Sequence, residues 1–104
     1  MEIAVIIGKG GRDIKAEDAP AHIFGYIIFN DWSARDVKRI EMKLGLGPAK
    51  GKDFASSLGP VIVTCDALAD RTIDRLGVYN LNMSAKVNGA EMSKVHANYR
   101  NPII

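Results

Sequence analysis

Cysteine is nearly absent from this 104-residue sequence, with Cys65 the single example. One cysteine excludes an intrachain disulfide framework and fits a reducing compartment, so the chain reads as cytoplasmic. No apolar run approaches the roughly 18 residues that would argue for a membrane span. The first segment also reads as no secretion signal. Glu2 stands where basic residues belong, and "IAVIIG" is too short for the apolar region. Excess charge is missing too: 14 basic against 12 acidic residues leave +2. That balance exerts no strong pull toward nucleic acid or anionic membrane. Histidine is sparse, and His22 and His96 have no partners at metal-ligand spacing. Internal repeats and low-complexity segments are absent.

What is present is 47% hydrophobic and 25% charged, the balance of one globular domain spanning 1–104. "EIAVII" (2–7) is apolar and rich in β-branched residues, which predicts a buried strand. "GKGGRD" (8–13) breaks it, and a short helix fits 16–22 despite Pro20. "IFGYIIFN" (23–30) is a second apolar strand. Ser33 suits a helix N-cap, with Asp36 as its capping-box partner. Val37, Ile40 and Leu44 then form one helical stripe that should end at Gly45 or Gly47. "GLGPAKGKDFASSLGP" (45–60) predicts a long loop of the kind that is often functional or disordered. "PVIVTC" (60–65) reads as a strand, with Pro60 marking an edge. "LADRTIDRLG" (68–77) reads as a loop or one helical turn. In "VYNLNMSAKV" (78–87), Tyr79, Leu81, Met83, Ala85 and Val87 alternate with polar residues, a strand with one wet face. "NG" at 88–89 predicts a hairpin turn into a return strand over 90–96. The fold class is therefore α+β, mainly β and rich in antiparallel pairs, with one clear helix and a second short one.

Several side chains suit chemistry. Glu2 and Asp31 are carboxylates at the boundaries of apolar strands. If those strands are neighbours, two hard oxygen donors plus water suit Mg²⁺. The commoner role of such a carboxylate is a solvated turn. Lys50 and Lys52 lie in "AKGKDF", where glycine permits close approach to a ligand. A lysine there suits a carboxylate or enolate oxygen, and a flexible basic loop is the plainer role. "GKGGRD" has neither phosphate-loop pattern and reads as a glycine turn. Arg35, Lys38, Arg39 and Lys43 make the helix basic, but Glu41 shares it, which favours a solvated face over nucleic-acid contact. His22 reads as a satisfied structural histidine and Cys65 as a small apolar strand residue. Trp32 reads as a packing residue that fixes the turn carrying Asp31.

Taken in order, "EIAVIIGKGGRDI", "GYIIFNDWSARD", "LGPAKGKDFASSLGP" and "LNMSAKVNG" resemble the fumarylacetoacetate hydrolase family over essentially the whole chain. The resemblance implies a mixed β-roll or sandwich of largely antiparallel strands and a homodimer or higher homo-oligomer. It also implies a site for Mg²⁺, alternatively Mn²⁺ or Ca²⁺, that takes a small 2-oxo acid. The reactions it implies are C–C bond hydrolysis, as of acylpyruvates, and oxaloacetate-type decarboxylation. Isomerisation of the 2-hydroxyhepta-2,4-diene-1,7-dioate type is an alternative. In that chemistry the metal chelates the α-keto acid and stabilises an enolate. By position, Glu2 matches the second glutamate of a Glu-x-Glu metal pair, and Asp31 matches an aspartate ligand. Lys52 matches the catalytic lysine that contacts substrate oxygens. Lys38 stands at a substrate-binding position where the fumarylacetoacetate-cleaving member carries glutamine, which points away from that substrate. The chain resembles the central part of the family's catalytic domain. The first glutamate of Glu-x-Glu would precede Met1, and the lid and a threonine-containing loop have no counterpart. Both ends, including the final "NPII", read as lying inside a domain. The other reading is a catalytically impaired family member that acts as a dimerising or ligand-binding module. Neither a nucleic-acid nor a membrane partner is expected.

Overall fold

A computed structural model describes residues 1–45, 47–74 and 77–97 of the chain. Leu46, between the two glycines predicted to end the helix, the stretch at Arg75 and Leu76, and the final "NPII" lie outside the described residues. Strands dominate: β1 (Glu2–Ile7), β2 (Ile23–Asp31), β3 (Ser56–Thr64), β4 (Leu81–Val87) and β5 (Ala90–Ala97). Helix α1 (Arg35–Glu41) is joined by 3₁₀ segments at Ala16–His22, Met42–Leu44 and Asp66–Arg71. The fold is mainly β with short helices, as expected. Strands β1, β2 and β3 lie side by side in that order, and β4 pairs with β5. The chain forms two compact units, Met1–Ala4 with Ile27–Ile62, and Val5–Tyr26 with the chain from Val63 onward.

In the first sheet β2 is central. Gly25 and Ile27 alternate onto its covered face, while Phe24 and Ile28 stay exposed. Ile27, 8% exposed, is the one buried hydrophobic side chain among the described residues. β1 corrects the expectation of a buried strand: only Ala4, Val5 and Ile6 are half-buried, while Ile3 and Ile7 are exposed. Its outer place in the strand order leaves one long side without a β neighbour among the described strands. β3 is also an outer strand, as Pro60 suggested, but it begins at Ser56 rather than at residue 60. Ser56–Gly59 have little strand preference of their own. Pairing with β2 recruits them, and a Cβ built on Gly59 would meet Ile28 at ordinary van der Waals distance.

Ser33 does not cap α1. The N-cap is Ala34, without a side-chain cap bond. The Ser33 hydroxyl instead donates to the Asp31 carbonyl at 3.2 Å. The predicted stripe is also only partly covered, with Val37 half-buried and Ile40 and Leu44 exposed. The α-helix stops at Glu41, and the tighter 3₁₀ step through Met42–Leu44 rotates Leu44 off the stripe. Gly45, at φ 71°, ends the segment in the left-handed region.

In the other unit Cys65 lies past β3, at the head of a 3₁₀ segment, and its thiol points to the Ile23 carbonyl at 3.7 Å. It is half-buried rather than a covered strand residue. Tyr79 lies before β4, not in it. Residues 78–80 turn back onto 71–73, through Ile73 N–H to Val78 O at 2.7 Å and Asn80 N–H to Arg71 O at 2.8 Å. Those bonds take the backbone groups that an earlier start to β4 would need. Leu81, Met83 and Ala85 alternate inward as predicted, and Val87, beside the turn, is exposed. The pairing slips by one between Ala85–Ser93 and Lys86–Glu91, leaving Met92 as the extra residue of a bulge. His22 and His96 are both satisfied, at 2.8 Å from the Lys9 carbonyl and 2.7 Å from Asn82 Oδ1. No helix among the described residues is long and apolar enough to cross a membrane.

The hairpin turn places Asn88 at φ 50° and Gly89 at φ 85°, the positive pair that a tight two-residue turn needs. No atom lies within 4 Å of a Cβ built on Gly89, so the cost of a side chain there is backbone strain alone. Gly89→Ala should therefore lose about 1–2 kcal/mol, read from the midpoint of urea unfolding. An unchanged midpoint would contradict this turn geometry.

Candidate active site

Asp31 is the last residue of β2, and the chain passes almost at once into α1. Two bonds fix that corner. Ser33 holds the Asp31 carbonyl, and the Trp32 indole N–H donates to Ser57 Oγ of β3 at 2.8 Å. Trp32 is 51% exposed, so it tethers the corner through its polar edge instead of packing over it. The Asp31 carboxylate is left facing Lys52, whose ammonium donates to Oδ2 at 2.5 Å. The two side chains are 22% and 30% exposed, respectively, so the pair is partly shielded from water.

Lys52 reaches this position because of an isolated helical turn. The N–H groups of Lys52 and Asp53 both donate to the Ala49 carbonyl, at 3.0 and 2.9 Å. A turn this short leaves its first N–H groups without internal partners. Glu41 at the end of α1 supplies them. Its carboxylate accepts from Ala49 at 3.1 Å, Lys50 at 2.7 Å and Gly51 at 3.0 Å. The Gly51 bond, helped by those from Lys50 and Ala49, holds the Glu41 carboxyl below its usual range. At the other end of α1, Ala34 N–H donates to the Gly51 carbonyl at 2.9 Å. Gly51 is itself buried, and a Cβ there would sit 3.0 Å from Lys38 N and 3.2 Å from Lys38 Cα. Glycine lets the turn lie this close to the helix, since any Cβ would force the neighbouring backbone to give by a few tenths of an ångström.

The two candidate lysines thus separate. Lys52 meets Asp31, whereas Lys50 bonds Asp53 at 2.7 Å on the surface, where its side chain is 81% exposed. That contact raises the Lys50 pKa. Lys38 is half-buried, and its backbone packs on Gly51, next to Lys52 in the chain. Glu2 is exposed at the start of β1, in the same compact unit as Asp31. Among the described residues there is no group of three or more His, Cys, Asp or Glu side chains placed to hold a metal ion. The donor set assigned by resemblance is the pair Glu2 and Asp31. Two carboxylates leave the remaining positions of a hard cation to water and substrate, which suits Mg²⁺.

Sequence reasoning missed Glu41 as the clamp of the lysine turn. The only available signal was an acid close upstream of a glycine–lysine stretch, and charge patterning spent that acid on balancing a basic helix. It also missed Tyr26 and Tyr79, which lie in the other unit. Their rings meet edge to face at 5.1 Å and 76°, beside a hollow of about 150 Å³ also lined by Cys65 and Thr72. Burial raises the pKa of both hydroxyls, Tyr79 the more. None of Glu2, Asp31, Lys38 or Lys52 lines that hollow.

A carboxylate and a lysine held together at a strand end, on a mainly β frame, form a small, partly shielded polar centre. Residues 1–102 match the family described as "Fumarylacetoacetate (FAA) hydrolase C-terminal". The chain belongs to the fumarylacetoacetate hydrolase family. It is 47% identical over 77 residues to a fumarylacetoacetase of Oryza sativa subsp. japonica, covering 71% of this chain and 18% of that protein. It is 39% identical over 100 residues to a human mitochondrial oxaloacetate tautomerase, covering 94% of this chain and 29% of that one. The fold matches a solved fumarylacetoacetate hydrolase from Exiguobacterium antarcticum with a TM-score of 0.69 at 33% identity. That match covers 91% of this chain and 31% of the other. The chain therefore spans less than a third of the relatives it matches.

Because the folded state depresses the Glu41 pKa, the group contributes stability that is fully present above its ordinary value of 4.5. That contribution is lost as the pH falls through the lower folded value. Thermal denaturation across pH should show wild type above Glu41→Gln at neutral pH, with the gap closing in acid. A gap that does not change with pH would contradict the carboxylate's role.

Proposed function

We propose that this chain carries the divalent-metal site of an enzyme acting on 2-oxo or 1,3-dioxo acids. The reaction is C–C bond hydrolysis of the acylpyruvate type or decarboxylation of the oxaloacetate type. The observation that carries the reading is the 2.5 Å contact between Asp31 and Lys52, in a chain of this family. Glu2 and Asp31 would hold the ion. A bound Mg²⁺ would supply Lewis acidity toward the keto and carboxylate oxygens of the substrate.

Lys52 adds a donor that is already aimed. In hydrolysis, water adds to the acyl carbonyl before the C–C bond breaks and the acyl group leaves as a carboxylic acid; in decarboxylation the leaving group is CO2. The electron pair of the broken bond passes into an enolate, whose charge gathers on the keto oxygen until its carbon takes a proton from water. The Lys52 ammonium, which bonds Asp31 in the structure, would donate to that oxygen. Such fixed donors act where water is partly excluded, and the pair's partial shielding supports this role. Lys38 lies on the helix beneath the lysine turn and adds a second positive charge for a substrate carboxylate. The exposed Ile28, Leu58 and Val61 support a homo-oligomer, because they leave apolar surface for a second copy to cover.

A second reading is supported by the relative named as an oxaloacetate tautomerase, which matches more of this chain than the rice fumarylacetoacetase does. Keto–enol isomerisation needs the same stabilised oxyanion without breaking a C–C bond, and Lys52 would serve it in the same way. A third is a dimerising or ligand-binding module without turnover.

Calorimetric titration with Mg²⁺ and Mn²⁺ separates these readings. Wild type should bind in the micromolar range. Asp31→Ala should lose more than the roughly 10–100-fold that outer-shell changes cost. Lys52→Ala should keep metal binding within a few-fold while turnover of acylpyruvate or oxaloacetate falls by about 10²-fold or more. Absence of metal binding in wild type would sink the enzyme reading and leave the module.

A further inference from the structure

We propose that Glu41 is a positioning residue for Lys52, acting through the backbone of the turn Ala49–Asp53; this rests on the reading of Lys52 as a working residue. Glu41 touches neither Asp31 nor the Lys52 ammonium in the structure. It bonds three consecutive N–H groups, of Ala49, Lys50 and Gly51, which immediately precede Lys52. Successive N–H groups pointing to one side form a concave anion seat. Here a side chain of the same protein fills that seat.

The geometry explains why the clamp is specific for position. Gly51 is pinned on two sides, by Glu41 Oε2 at its N–H and by Ala34 N–H at its carbonyl. Both anchors belong to the α1 region, which begins just after Asp31. Asp31 and the Lys52 turn are therefore referenced to the same short helix. Loss of the Glu41 anchor leaves the turn held at Ala34 alone, free to pivot. The Lys52 ammonium, at the end of a long side chain, then samples positions away from Asp31. Lys50 lies within the same turn but points to Asp53, so its surface pair does not depend on where the turn sits relative to α1.

Amine acylation with acetic anhydride, mapped residue by residue by mass spectrometry, reads this directly and needs neither metal nor turnover. The chain is used whole at neutral pH, with Lys94 on β5 as an internal reference. In Glu41→Ala, Lys52 should acylate roughly tenfold faster than in wild type, with Lys94 unchanged. Glu41→Asp keeps the charge but is one methylene too short to span the three N–H groups, and should behave like Glu41→Ala. Glu41→Gln keeps one acceptor oxygen at full length, enough for the Ala49 and Gly51 N–H groups that share Oε2, and should restore part of the protection. That order separates reach from charge, which a loss of general stability would not do. Lys52 protected equally in all four proteins overturns the proposal, as does protection in Glu41→Asp with loss in Glu41→Gln. Should Glu41→Ala fail to fold by circular dichroism, the Asp and Gln variants decide alone. A wild type that binds no Mg²⁺ counts against the enzymatic reading, whereas the acylation pattern judges Glu41 independently of it.

Discussion

A single carboxylate accepting three backbone N–H groups organises the polar half of this structure. Glu41 satisfies the start of a helical turn that is too short to satisfy itself. Without an acceptor, those groups would turn to water, and the turn Ala49–Asp53 would lose its anchor on α1. With the acceptor in place, the turn leans on α1 so closely that a Cβ at position 51 would crowd Lys38 and Glu41. Lys52 then projects toward the carboxylate that ends β2. Backbone hydrogen bonding at one end of a seven-residue helix thus sets the position of an ammonium group.

The apolar half is thinner. Ile27 is the one buried hydrophobic side chain among the described residues, and many large apolar groups on β1, β2 and β3 remain in contact with solvent. Local polar ties therefore carry more of the definition of the site than core packing does. Trp32 illustrates this, since its ring stays half in water while its N–H is fixed to Ser57. The Tyr26–Tyr79 contact gives the other unit its own aromatic anchor.

The chain belongs to the fumarylacetoacetate hydrolase family, and the relatives are three or more times as long as the region matched. The described residues supply an acid–lysine pair and an additional carboxylate at a strand start. They do not by themselves assemble a cluster of three or more acidic or histidine ligands. The chain does bring a lysine to a carboxylate, and both residue types were visible in the sequence before they were visible in space.

Strand and turn identities were set by the sequence itself. β-branched runs made β1 and β2, alternation made β4, and Asn88–Gly89 made the hairpin, because each depends on neighbours within a few residues. "NDWSARD" and "GKDF" marked Asp31 and Lys52 as candidates only through the family resemblance, and the structure pairs the two side chains. Where sequence reasoning erred, a distant partner had intervened. Ser33 is the exception, bonding Asp31 only two residues away instead of capping α1, but Ser56–Gly59 joined β3 through β2 and residues 78–80 folded back on 71–73. The difference between Lys50 and Lys52 belongs to the same class. Two lysines in one glycine-rich stretch are equivalent by composition, and only the turn gathered on Glu41 sends one to the surface and the other to Asp31. Hydrogen-bond partners drawn from outside a segment leave no periodic trace within it, so that decision belonged to the tertiary structure alone.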